Sequence, residues 1–204
     1  MKLLTQELAD EIRADILKYG LSKGLGKPTP GKMCVEAMIC YKLGLPHSDT
    51  PYCVSKEIRK AKISLNDCDW SSNKARAKGM EKLVIAQLGS DKLEQQALYN
   101  LLKLNSTKKI LPYIIQKHYE KERIEDLLHW KLRFENLEML DVKLWKEFYN
   151  YYDDYYYYDY YYDYYYYYDY NYYSKYYKDE FLILVADTIL LTLQQMNCEG
   201  CKFL

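Results

Sequence analysis

Apolar residues recur every four positions at Leu4, Leu8, Ile12 and Ile16 through a charged background, the stripe of an amphipathic helix, and Gly20 is a natural end for it. GLSKGLGKPTPGK, residues 20 to 32, collects four of the eight glycines and two of the five prolines and reads as a loop. MCVEAMICYKLGL, 33 to 45, resumes a compact apolar pattern and predicts a buried helix; PHSDTPYC then separates it from SKEIRKAKISLN. Ser71 or Ser72 is the expected N-cap of a helix carrying Ala75, Met80, Leu83, Val84 and Leu88, because a serine oxygen can accept from an orphan amide of the first turn. Gly89 is expected to close that helix and Ser90 to cap the next, with Leu93, Ala97, Leu98, Leu101 and Leu102 turned inward.

Helical spacing continues through Ile124, Leu127, Leu128 and Leu132, and again through Leu182, Val185, Ile189, Leu193 and Met196. No stretch before residue 150 alternates as a half-buried strand does, and no glycine or proline interrupts residues 113 to 199. The pattern predicts an all-α chain. A helical N-terminal module spans 1–110, connecting helices 111–148, a Tyr/Asp-rich element 149–178, and an amphipathic helix with a tail 179–204.

Residues 151 to 177, YYDDYYYYDYYYDYYYYYDYNYYSKYY, hold nineteen tyrosines in twenty-seven positions. Tyrosine favours strands, and Asp153, Asp159, Asp163, Asp169 and Asn171 fall on odd positions, as a two-residue period requires; Asp154 does not. On a helical period the same aspartates scatter and define no polar face. Helical patterns on both sides, and the lack of any turn signal for a hairpin, favour a long helix, with a strand as the alternative.

Such a helix forgoes on the order of 10 kcal/mol of propensity relative to alanine, at about 0.5 kcal/mol per tyrosine. Packing alone can offset that, yet a helix lying on a small domain buries one stripe and leaves its other rings in water. An aromatic surface of that size marks an interaction site. The candidate self-association residues are Tyr151, Tyr155, Tyr158, Tyr162, Tyr166 and Tyr170 with Asp153, Asp159, Asp163 and Asp169, through stacked rings and hydroxyl-to-carboxylate bonds. Repetition of this kind favours a homo-oligomer, and an open filament where the contact runs head to tail.

Formal net charge is zero but unevenly divided: residues 1–140 carry 24 Lys and Arg against 18 Asp and Glu, a net +6, and residues 141–204 carry 5 against 11, a net −6. The two parts can therefore attract each other within or between molecules, and salt screens that attraction. Six cysteines are too few for a disulfide scaffold, and the opening residues place charges where a signal peptide needs an apolar run. The expected compartment is the cytoplasm, with reduced thiols. The most apolar run, FLILVADTILLTL, is thirteen residues long and includes Asp187, whereas a membrane span needs about 20.

PTPGKMCVEAMICYKLGLPHSDTPYCV and ISLNDCDWSSNKARAKGMEKLVIAQLGS, within residues 28–90, resemble a bacterial family in which a similar N-terminal module precedes a low-complexity tract rich in Ala, Asp and Tyr. The resemblance covers roughly the first 110 residues and implies a helical tract. It implies no activity, cofactor or functional residue, and this chain places tyrosine where alanine is common in the family.

Cys198 and Cys201 have the C-x-x-C spacing of half a zinc site or a redox dithiol, but Cys34, Cys40, Cys53, Cys68 and His47 supply no second such pair. GLGKPTPGK departs from a phosphate loop because Pro28 follows Lys27, and a fixed-turn connector is the better reading. His118 with Glu122, and Glu125 or Asp126 with His129, meet on a helix face as charged surfaces ordinarily do. Lys56, Arg59, Lys60 and Arg76, with Lys62, Lys74, Lys78 and Lys82, form a basic cluster that could engage phosphate backbones. No catalytic set and no cofactor follow from the sequence. The leading expectation is a structural or interaction protein that associates with itself or another protein, with a nucleic-acid module and a zinc or redox protein as the alternatives.

Overall fold

A computed structural model describes residues 4–122, 125–155 and 170–204. The fold is all-α, and among the described residues there is no strand, only an isolated bridge between Gly26 and Met33. Eight α-helices are described: α1 Gln6–Tyr19, α2 Val35–Leu43, α3 Lys56–Asn66, α4 Asn73–Ala86, α5 Gln95–Glu122, α6 Asp126–Glu135, α7 Val142–Tyr155 and α8 Tyr170–Gln195. Short 3-10 turns occupy Ser90–Lys92 and Glu199–Phe203.

Local chemistry sets most boundaries. Thr5, Ser55 and Ser72 cap α1, α3 and α4, each side-chain oxygen accepting from the amide three residues on, at 3.0 to 3.2 Å. Gly20, at φ 84°, ends α1 and donates its amide to the Ile16 carbonyl at 2.8 Å. Leu8, Ile12 and Ile16 are buried as their spacing requires, and α2 buries every residue except Tyr41 and Lys42.

Ser90 does not cap the next helix. Its hydroxyl is buried and accepts from the Ser55 amide at 2.9 Å, so it is spent on the start of α3. Glu94 caps α5 instead, its carboxylate accepting from the amides of Gln96 at 2.9 Å and Ala97 at 2.6 Å, where a negative charge also suits the helix dipole. Ala97 consequently faces solvent while Leu98 is buried. Leu132 is likewise exposed, because the inward face of α6 is Leu127, Trp130 and Phe134.

The main core joins α1 to α5 with α8. Leu182, Val185, Ile189 and Leu193 are buried against residues from Leu8 to Ile114, so the C-terminal helix completes the N-terminal module. A second cluster unites Leu111 and Ile115 of α5, Leu127, Trp130 and Phe134 of α6, and Leu144 and Phe148 of α7. Ile110 and Ile114 face the first cluster while Leu111 and Ile115 face the second, so α5 is the wall the two share. α5 runs unbroken through residue 110 and accommodates Pro112, which removes one amide from its hydrogen-bond ladder.

The two ends of the tyrosine tract are helical, residues 151–155 within α7 and 170–177 within α8. Residues 156–169 lie outside the described residues, as does the choice between helix and strand there.

Candidate functional site

Chemistry-bearing side chains gather in the core between α2, α3 and the end of α4. Lys62 Nζ lies 2.9 Å from Glu36 Oε1, and both side chains are fully buried. Gln87, also buried, donates through Nε2 to Glu36 Oε2 across a long 3.5 Å. Beyond this ion contact, Lys62 Nζ, Glu36 Oε1 and Gln87 Oε1 have no hydrogen-bond partner among the described residues. Burial raises the Glu36 carboxyl and lowers the Lys62 ammonium from their ordinary values, and the attraction between them opposes both shifts.

Three thiols share the electrostatics of this centre. Cys34 caps α2, its sulfur accepting from the Ala37 amide at 3.4 Å. Burial raises its pKa, and burial pushes Cys40 and Cys53 up to about 11, with the Glu36 charge adding to all three shifts. These thiols are protonated at neutral pH and inert as nucleophiles. Closed off from solvent, the pair ties α2 to α3 across the core. The sequence did contain a signal for it: Glu36 is a lone acid inside the apolar run MCVEAMIC.

The basic cluster divides when its residues are placed. Lys62 is in the ion pair, and Arg76 is 4% exposed. Arg76 donates to the carbonyls of Asn66 at 2.7 Å, Leu21 at 2.9 Å and Cys68 at 3.3 Å, and to Asn73 Oδ1 at 2.8 Å. It clasps the end of α3, the loop after α1 and the start of α4, so, buried as it is, it belongs to the frame rather than to a phosphate-binding surface. Lys56 and Lys60 are exposed, Arg59 is half-buried, and Lys60 approaches Glu57 at 3.9 Å.

The GLGKPTPGK segment is a turn. Lys27 N donates to the Lys32 carbonyl at 2.6 Å, and a Cβ on Gly26 would collide with that same carbonyl. The Cys198 thiol donates to the Leu88 carbonyl at 3.4 Å, and the Cys201 thiol approaches the Ala86 carbonyl at 4.0 Å, so the C-x-x-C pair faces the carbonyl end of α4. Burial pushes Cys198 up to about 12 and raises Cys201. Among the described residues no three His, Cys, Asp or Glu side chains gather to hold a metal ion. His129 and Asp126 are exposed, Glu125 accepts from the Tyr119 hydroxyl at 3.3 Å, and the side chains of His118 and Glu122 are outside the described residues.

Of the candidate self-association residues, Tyr151 packs in the aromatic cluster, 5.7 Å from the Trp130 ring centre. Asp153 and Tyr155 continue α7 and Tyr170 opens α8, as backbone only. Tyr158, Asp159, Tyr162, Asp163, Tyr166 and Asp169 lie outside the described residues. On the surface, a groove of about 360 Å³ runs between α4 and α8. No described helix is long and apolar enough to cross a membrane. No family model, curated protein or solved structure matches the chain.

Proposed function

We propose that this chain is a structural or interaction protein of the cytoplasm that associates with itself, or docks on another protein, through its aromatic, acidic tract. The observation that carries this reading is how the tract is anchored. Tyr151, near its start, completes an α7 stripe with Leu144 and Phe148 in the aromatic cluster. Its C-terminal end runs in α8 towards Phe181, which is fully buried in the main core.

One folded body thus holds both ends of residues 156–169, a sequence of eleven tyrosines and three aspartates. Ring pairs contribute about 0.5 to 1.5 kcal/mol each beyond their burial, and every hydroxyl can bond a carboxylate, so repetition multiplies a modest contact. The test replaces residues 156–169 with a glycine-serine linker of equal length, which keeps Tyr151 and α8, and compares sedimentation with the full chain. The full chain is expected to associate with rising concentration and the linker variant to remain monomeric. Identical monomeric behaviour of both would overturn the reading.

A further inference from the structure

Resting on that self-association reading, we propose that the groove between α4 and α8 is the receptor for the tract, and that it takes the Tyr/Asp segment of a second copy of this chain. Its floor is apolar, formed by Ala75, Gly79 and Leu83 of α4 with Ala186 and Leu190 of α8. Ile183 stands in the same groove with 41% of its surface exposed. The volume of about 360 Å³ is at the small end for a ligand site and suits a few aromatic rings.

The charges decide what kind of segment fits. Glu81 is answered by Arg13 at 3.3 Å, and Asp179 accepts from the Ser71 amide at 2.8 Å and from the Ser71 hydroxyl. Lys78 and Lys82, one turn apart on α4, and Asp187 on α8 have no hydrogen-bond or ion-pair partner among the described residues. The groove therefore presents two unpaired ammonium groups and the carboxylates of Asp179 and Asp187 around an apolar floor, since the neutral Ser71 leaves the Asp179 charge in place. A Tyr/Asp segment answers all of them: aspartates pair with the lysines, tyrosine hydroxyls donate to the carboxylates, and rings cover the floor. A purely basic segment would leave Lys78 and Lys82 opposed, and a purely acidic one would leave Asp179 and Asp187 opposed.

The direction of α8 favours a second copy over the same chain. α8 is helical from Tyr170, nine residues before Asp179, so the tract departs about 14 Å beyond the groove along the helix axis. The excess of positive charge over residues 1–140 and of negative charge over 141–204 acts in the same sense.

The experiment places a photoreactive benzoylphenylalanine at Ile183 in the full chain and mixes ¹⁵N-labelled with unlabelled copies before irradiation. Cross-links are expected from position 183 to residues 156–169 of the oppositely labelled copy. The Lys78→Glu/Lys82→Glu variant, with an unchanged melting temperature, should associate at least tenfold more weakly and lose the cross-link, and the Lys78→Arg/Lys82→Arg variant should retain both. Cross-links confined to one chain or directed elsewhere would overturn the groove assignment, as would undiminished association of the Glu variant. In those outcomes tract-dependent association survives as a separate result, whereas a full chain that never associates defeats the self-association reading itself.

Discussion

Lys62 Nζ and Glu36 Oε1 lie 2.9 Å apart with neither side chain reached by solvent, joining α2 to α3 through the centre of the core. Desolvation disfavours both charges, and each is held by the other. Such a pair adds little net stability but makes either partner costly to lose, because the survivor is an uncompensated buried charge. Glu36→Leu and Lys62→Met are each expected to lower the unfolding free energy by about 3 to 5 kcal/mol, read from urea denaturation. The Glu36→Leu/Lys62→Met double variant should recover most of that loss. Simple additivity of the two single losses would show that the two side chains do not act as a pair.

Arg76 carries a second, independent prediction. Its guanidinium serves three backbone carbonyls and the Asn73 side chain in directions that one planar fork satisfies at once. Arg76→Lys keeps the charge but cannot reproduce the geometry, and Arg76→Met leaves buried carbonyls without donors. Both should cost at least about 3 kcal/mol in urea denaturation, given roughly 1.5 to 3 kcal/mol for each hydrogen bond to a charged group. Lys56→Ala, on the exposed start of α3, should leave the midpoint unchanged. A tolerant Arg76→Lys variant would contradict the clasp.

These two residues also show where sequence patterning stops being informative. Periodicity located α1, α2, α4 and the buried face of α8, since spacing alone determines which side of a helix faces a core. It could not separate Lys62 and Arg76 from Lys56 and Lys60, because burial of a cation depends on an acceptor supplied from elsewhere in the chain. Glu36 is twenty-six positions from Lys62, and the carbonyl of Leu21 is fifty-five from Arg76. Ser90 failed as a cap for the same reason, its hydroxyl being claimed by Ser55 across thirty-five residues. The groove between α4 and α8 joins residues about a hundred positions apart, and no local signal marks it.

The cysteines make a pH prediction. Burial raises Cys40 and Cys53 to about 11 and Cys198 to about 12, above their value of 9.0 in an unfolded chain. A group with a raised folded pKa contributes stability fully present below the unfolded pKa, and that stability is lost as pH rises through the folded pKa. Stability is therefore expected to be flat with respect to these thiols below about pH 8 and to fall from about pH 9 to 12. Each such thiol accounts for about 1.4 kcal/mol per pH unit while it is ionised only in the unfolded chain. At pH 8 a thiol reagent should label the buried cysteines only at the rate of unfolding, with half-buried Cys201 labelled first. Rapid native labelling of Cys198 would contradict its burial against Leu88.

Tyr151 separates the fold from the tract that follows it. Its ring lies 5.7 Å from that of Trp130, which in turn packs edge-on to Phe148 at 5.3 Å, so Tyr151 is half-buried against the aromatic cluster of α6 and α7. A double-mutant cycle on Tyr151→Ala and Trp130→Ala, measured by urea denaturation, is expected to give a coupling of about 0.5 to 1.5 kcal/mol, the usual worth of an aromatic pair. Phe134→Ala, in the fully buried centre of the same cluster, should cost about 3 to 5 kcal/mol. At concentrations of denaturant where both chains are folded, Tyr151→Ala should associate as the full chain does. Zero coupling to Trp130 together with weakened association would instead assign Tyr151 to the interaction surface, and the boundary between scaffold and tract would move to the start of the repeat.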